Sequence, residues 1–212
     1  MSSSRFFITG TDTNVGKTVV SALLCAALGA IYWKPIQTGT REGTDRATVM
    51  RIAGVPKNRT LPEAYRFAPP VSPHLAARLA GVRIELRKIK LPQLAPSENL
   101  IVEGAGGALV PINGTQLMTD LMTHLNLPVL LVARTSLGTI NHTLLSIAAL
   151  RAARLDLRGV VMVGKENREN RAAIERYGEI EVVGAVPLLA KINRAALIRV
   201  FRKNFNRKVF SA

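Results

Sequence analysis

The residues best suited to chemistry begin at the amino terminus, where positions 10–18 read GTDTNVGKT directly after the apolar run RFFIT. A phosphate-binding loop has the form G-x-x-x-x-G-K-[ST], with four residues between its glycines. Here five residues, Thr11 to Val15, separate Gly10 from Gly16. The β-rich run before the loop and KTVVSALLCAAL after it supply the strand, loop and helix that such a motif needs. In that setting backbone N–H groups and the positive end of the helix cradle phosphate oxygens, Lys17 neutralises them, and the Thr18 hydroxyl ligates magnesium.

A phosphate loop also needs an acid to complete the metal shell, and acids are scarce in this chain. Glu103 closes the apolar run NLIVEG, at the carboxyl end of a buried strand where ligands gather in open α/β sheets, and the GAGG that begins with Gly104 lets backbone approach a ligand closely. Asp45, in TREGTDRATV, opens a helix, so it is either that helix's N-cap or a second acidic ligand. Lys34 closes another strand in WKPIQTG, placed either to hold a phosphoryl or carboxylated group or simply to be solvated at a strand end. After PVLLVA, the segment TSLGTINHTLLS opens a helix whose N–H groups at Gly138, Thr139, Ile140 and Asn141 suit a carboxylate, while His142 is expected to pack or cap.

The elements that must hold these residues follow from the apolar pattern. Six short runs, at 5–9, 30–34, 99–104, 128–133, 159–163 and 181–186, alternate with helical segments. Strands this continuously apolar are covered on both faces, so the fold class is α/β, doubly wound, with a mostly parallel sheet and helices on each side. The first helix is expected from GKT to about Leu28, stopped by Gly29, and SPHLAARLAG gives a short helix near 73–80. The proline-rich stretch 54–98 is expected to form loops over the sheet edge.

At 212 residues, 48% hydrophobic and 20% charged, the chain reads as one globular domain spanning 1–212. Its longest apolar runs fall short of the roughly 18 residues of a membrane span. MSSSRFFITG enters a strand at once, without room for a secretory leader, so the cytoplasm is the expected compartment. Cys25, the only cysteine, has no partner for an internal disulfide and is read as inert core. Against 14 Asp plus Glu stand 29 Lys plus Arg, a net charge of +15 and a pI near 11.0. Such a field suits nucleic acid, anionic lipid or small phosphorylated ligands. It is read as solvated helix faces, with a polyanion or membrane contact by the terminal RVFRKNFNRKVF as the alternative.

With those residues located, the chain resembles the dethiobiotin synthetase family of P-loop ligases. The matching pieces are GTDTNVGKT, KPIQTG, the pair Thr44 and Asp45, SPH at 72–74, VEGAGG at 102–107, LGTINH at 137–142 and GAVP at 184–187. The resemblance implies ATP- and Mg2+-dependent closure of a cyclic urea on 7,8-diaminopelargonate with CO2. One amine captures CO2 as a carbamate, ATP phosphorylates it, and the second amine expels phosphate. It implies that Thr18, Asp45 and Glu103 hold the metal and that Lys17 and Lys34 clamp phosphate and carbamate. Thr13 would reach the substrate side, and Thr38 with the helix start Gly138 to Asn141 would contact substrate. The nucleotide would lie along Asn14, Val15, Gly16, Lys17, Thr18, Val19, Glu103, Gly104, Ala105 and Gly106, with Val163, Gly164, Val186, Pro187 and Leu188 toward its base. The resemblance also implies a C2 homodimer with substrate near the interface, and neither nucleic acid nor membrane as partner.

Three departures bear on these expectations. Asn14 stands where family members often carry Glu, and the stretch from GKT to WKP is several residues shorter than usual. Val163 and Gly164 stand where Asn-Asp often reads adenine, so a weak preference for ATP over other nucleoside triphosphates is expected. A ParA/MinD-type ATPase acting on DNA or membrane shares this fold class, but its loop carries a lysine near its start and none precedes Lys17 here. Amide-forming ligases of the same superfamily carry a glutaminase domain, for which this chain has no room.

Overall fold

Each of the six apolar runs becomes a strand of one sheet. In the computed structural model, which describes residues 3–210, the elements are β1 (Arg5–Gly10), α1 (Lys17–Leu28), β2 (Ile31–Trp33), β3 (Ile36–Gln37), α2 (Asp45–Ala53), β4 (Tyr65–Arg66), α3 (Pro73–Leu79), β5 (Leu100–Gly107), α4 (Met118–Leu125), β6 (Val129–Arg134), α5 (Thr139–Ala152), β7 (Leu157–Val163), α6 (Arg168–Gly178), β8 (Val182–Val186) and α7 (Arg194–Asn204). The six-stranded sheet runs β2-β5-β1-β6-β7-β8, with every adjacent pair parallel. Two apolar layers cover it. Ile8, Leu23, Leu24, Val49, Ile101 and Leu197 join α1, α2 and α7 to one face, while Phe7, Met118, Ile147 and Ile174 join α4, α5 and α6 to the other. This is the doubly wound α/β arrangement expected from strands buried on both sides.

β1 lies between β5 and β6, so the chain leaves it in one direction and returns on the other side. The carboxyl ends of strands at such a reversal form the ligand-binding rim of open α/β sheets. α1 begins immediately beyond it at Lys17 and stops at Gly29, whose φ of 61° is the left-handed conformation that ends helices.

Residues 54–98 depart from the loops expected of them. β3 and β4 pair as a short parallel ribbon, and Phe67, Ala76, Ala77, Ile84, Leu86 and Ile89 are buried in the main core. The prolines interrupt regular hydrogen bonding without preventing apolar side chains from packing. The terminal segment bears on the membrane part of its alternative reading. α7 buries Leu197, Val200 and Phe201; Phe205 bridges to Gly184; and the Phe210 ring lies 5.5 Å from that of Phe6. Among the described residues its apolar side is therefore packed inside the fold, and its basic residues stay outside. Among the described residues no helix is long and apolar enough to cross a membrane.

Candidate active site

The loop after β1 is shaped by backbone conformations that few residues accept. Gly16 caps α1 at φ 100°, and a Cβ there would lie 2.9 Å from a methyl carbon of Val163. Asn14 is also left-handed, at φ 58°, and exposed. Asparagine tolerates that region better than most residues, which gives a conformational reason for Asn14. The Lys17 ammonium donates to the Asp12 carbonyl at 2.7 Å, and burial pulls its pKa down to about 8 against the opposing charge of Glu103. Asp12 fastens the loop from both sides. Its carboxylate accepts the Thr13 N–H at 2.7 Å and the Arg134 guanidinium, from the end of β6, at 2.8 Å.

Three strands and one helix bring a second cluster against this loop. Lys34, just past β2, places its Nζ 2.5 Å from Asp45 Oδ2 and 3.2 Å from Glu103 Oε1 on β5. Thr18 Oγ1 lies 2.8 Å from both Asp45 Oδ1 and Glu103 Oε1. The two readings of Asp45 are thereby separated: Thr44 is the N-cap, accepting the Ala47 N–H at 3.1 Å, and Asp45 is the first helical residue, with its carboxylate free to reach Thr18. Gln37 holds it from behind by accepting the Asp45 N–H at 3.1 Å.

Electrostatics couple the group. Burial disfavours charge on Lys34, but Glu103 and Asp45 outweigh it and hold the ammonium above the ordinary lysine range. Burial likewise disfavours charge on Asp45, and the Lys34 ammonium reverses this, holding the carboxyl below the usual range. One hydroxyl and two carboxylates are the hard oxygen donors that Mg2+ takes. Among the described residues there is no group of three or more His, Cys, Asp or Glu able to hold an ion alone. Such a donor set suits an ion that shares its shell with phosphate oxygens and water.

Lys17, Thr18, Lys34, Asp45 and Glu103 line one cavity of about 730 Å3, together with Thr13, Asn14, Gly16, Val19, Thr38, Ala105 and Gly106. Ser72 and Pro73 border it as well. Two of the expected residues, Val15 and Gly104, do not line it. The Val15 side chain is buried in the core, and Gly104 faces Phe7, whose ring would lie 2.9 Å from a Cβ at that position. Among the residues expected toward the base, Val163 packs over Gly16, and the Gly164 N–H donates to the Val186 carbonyl at 3.0 Å. Gly164 and Pro187 border a second cavity of about 420 Å3, with Asn167, Arg168, Lys203 and Asn204. Val186 is buried and Leu188 exposed, and neither lines that cavity.

The remaining expected residues, Gly138, Thr139, Ile140 and Asn141, line neither of these cavities. α5 begins there with Gly138 at φ 89° and no side-chain cap, beside a fully exposed Leu137. His142 is exposed, contrary to the expectation that it packs or caps. Sequence reading gave no role to Asp12, Tyr32, Gln37 or Arg134. The turn-forming Asp in GTDT and the polar residue inside KPIQTG were the available signals; nothing local marked Tyr32 or Arg134.

Comparison with known proteins agrees with this geometry. A family model described as AAA domain matches residues 4–196. The chain is 48% identical to the ATP-dependent dethiobiotin synthetase BioD of Novosphingobium aromaticivorans over 98% of this chain and 100% of that protein. It is 46% identical to the protein of the same name from Rhodopseudomonas palustris strain BisB18, over 98% of this chain and 99% of the relative. Among solved structures it is similar to a ParA family ATPase from Chlorobium tepidum, with TM-score 0.59 and 12% identity over 99% of this chain and 96% of that one. It is also similar to the MinC:MinD cell division complex of Aquifex aeolicus, with TM-score 0.53 and 15% identity over 93% of this chain and 86% of that one. At those identities the structural likeness speaks for the fold alone.

Proposed function

The chain belongs to the ATP-dependent dethiobiotin synthetase family, and we propose that it forms the cyclic urea of dethiobiotin from 7,8-diaminopelargonate and CO2 in the 730 Å3 cavity. The observation that carries this reading is the convergence of Lys17, Lys34, Thr18, Asp45 and Glu103 on one cavity at the carboxyl ends of β1, β2 and β5.

The reaction asks for positioning and charge stabilisation, with no nucleophilic side chain. One substrate amine adds to CO2, losing a proton, to give a carbamate. A carbamate oxygen attacks the γ-phosphorus of ATP, and the bond to ADP breaks. The second amine then attacks the carbamoyl carbon and gives up a proton, the ring closes, and inorganic phosphate leaves with the oxygen it gained and that proton. Lys17 and Lys34 supply fixed positive charge to the phosphate and carbamate oxygens, and the loop N–H groups bind the triphosphate. Thr13 and Thr38 orient the substrate side of the cavity. Thr18, Asp45 and Glu103 would hold Mg2+, which when bound supplies further charge neutralisation at the phosphate oxygens.

The separation of Gly138–Asn141 from that cavity supports a homodimer in which the α5 start of one subunit receives the substrate carboxylate of the other. The exposed Leu137 beside it gives such an interface apolar area.

Purified protein supplied with 7,8-diaminopelargonate, bicarbonate, ATP and Mg2+ is expected to produce dethiobiotin by mass spectrometry with stoichiometric ADP. Absence of product under those conditions overturns the reading. Mixing inactive Lys34→Ala subunits with inactive Asn141→Asp subunits tests the shared site. Recovered activity is expected, and a monomer in light scattering would refute it.

A further inference from the structure

Glu103 is gripped from two opposite sides. Its Oε1 faces the cavity, toward Thr18 Oγ1 at 2.8 Å and Lys34 Nζ at 3.2 Å. Its Oε2 faces the protein interior and accepts the Tyr32 hydroxyl at 3.0 Å. Both residues are buried: Tyr32 is 0% exposed and Glu103 is 1% exposed. The contact follows from sheet register. β2 pairs with β5 so that Tyr32 lies opposite Ile101 and Trp33 opposite Val102, which sets the phenol one step short of Glu103 on the same face. Ile8, Val20, Leu24 and Ile101 belong to the same apolar layer as the ring. A buried phenol needs an acceptor, and a buried carboxylate oxygen needs a donor, so each fixes the other.

We infer that Tyr32 is a positioning residue that holds Glu103 as a one-oxygen ligand and thereby biases the site toward small, six-coordinate divalent cations over Ca2+. The inference rests on the reading of Glu103 as a metal ligand. Ca2+ takes six to eight oxygens at about 2.3–2.6 Å, often with both oxygens of one carboxylate, whereas Mg2+ takes an octahedral shell at about 2.0–2.1 Å. A carboxylate whose inner oxygen is held against a buried phenol presents its other oxygen to the cavity. Removing the phenol frees Glu103 to rotate, which loosens its hold on a small ion and allows two-oxygen binding of a larger one.

Tyr32→Phe keeps the ring and its packing and deletes only the hydroxyl. Mn2+ binding is read from the loss of the free-ion electron paramagnetic resonance signal, followed by displacement with Mg2+ and with Ca2+, for wild type, Tyr32→Phe, Glu103→Gln and the packing control Ile101→Val. All four are measured below the lowest melting temperature. Glu103→Gln is expected to weaken Mn2+ strongly. Tyr32→Phe is expected to weaken it by about tenfold, the usual effect of losing a partner behind a metal ligand, and to lower the preference for Mg2+ over Ca2+. Ile101→Val is expected to lower the melting temperature with Mn2+ affinity and ion preference unchanged. If Glu103→Gln leaves Mn2+ binding intact, the metal reading of Glu103 fails. If Glu103→Gln weakens binding but Tyr32→Phe keeps wild-type affinity and ion preference, the inference about Tyr32 fails and the metal reading stands.

Discussion

Replacing Lys34 by alanine tests the centre of the site. The ammonium sits between Asp45 and Glu103 at 2.5 and 3.2 Å, with the Lys34 and Glu103 side chains 7% and 0% exposed and that of Asp45 29% exposed. Taking one partner from a buried ion pair costs about 3–5 kcal/mol, chiefly by leaving a charge uncompensated, and partial exposure of Asp45 favours the lower figure. For a chain of this size a loss of about 3 kcal/mol corresponds to a melting temperature lower by roughly 6–12 °C. Turnover is expected to fall by about 10²–10³, the effect of deleting one preorganised group at developing charge. Millimolar Mg2+ is expected to raise the melting temperature of the variant more than that of wild type, because a second cation can neutralise the carboxylates that Lys34 no longer covers. Calorimetric melts with and without Mg2+, and steady-state kcat at saturating ATP, read both effects. Near-wild-type turnover would withdraw the charge role of Lys34. An unchanged melting temperature would refute the energetic reasoning.

Since the Val163 side chain packs on Gly16 and carries no hydrogen-bonding group, ATP is expected to exceed CTP and GTP in kcat/KM by less than about a hundredfold; a larger ratio in parallel assays counts against this. Gly16→Ala is expected to cost about 1–3 kcal/mol of backbone strain and to abolish nucleotide binding by pressing on Val163. Gly29→Ala, also left-handed but with nothing within 4 Å of the new Cβ, is the control expected to lose some stability and keep nucleotide affinity by calorimetry. Cys25 is buried, and burial pushes its thiol pKa up, so iodoacetamide is expected to label it only after unfolding. Stoichiometric labelling of the native protein would contradict that burial.

Much of the site was legible because its signals are local. A strand, a small-residue loop and a helix carry the phosphate motif in one continuous stretch, and Lys34 sits just past β2 as the apolar run marks, whereas Glu103, expected at a strand end, lies within β5, which continues through Gly107. Asp45 was legible only as a choice, since a helix N-cap and an acidic ligand leave the same pattern in TDRA. The choice was settled by Thr44 taking the cap and by a contact with Thr18 across 27 residues. The same limit explains the middle of the chain, where prolines read as loops while Ile84 and Ile89 pack fully into the core.

The amino-acid sequence by itself determined the six strands of the main sheet, the first helix, the phosphate loop and the resemblance that names the reaction, because each depends on hydrophobic period or on residues close together in the chain. Only the tertiary structure decided what depends on strand register and packing. It set Tyr32 behind Glu103 and tied Asp12 to Arg134 across 122 residues. It buried the Val15 side chain, set Gly104 against Phe7 and left the α5 start outside the cavity. A side chain's direction follows from which neighbour its strand or helix meets, and no run of residues carries that information alone.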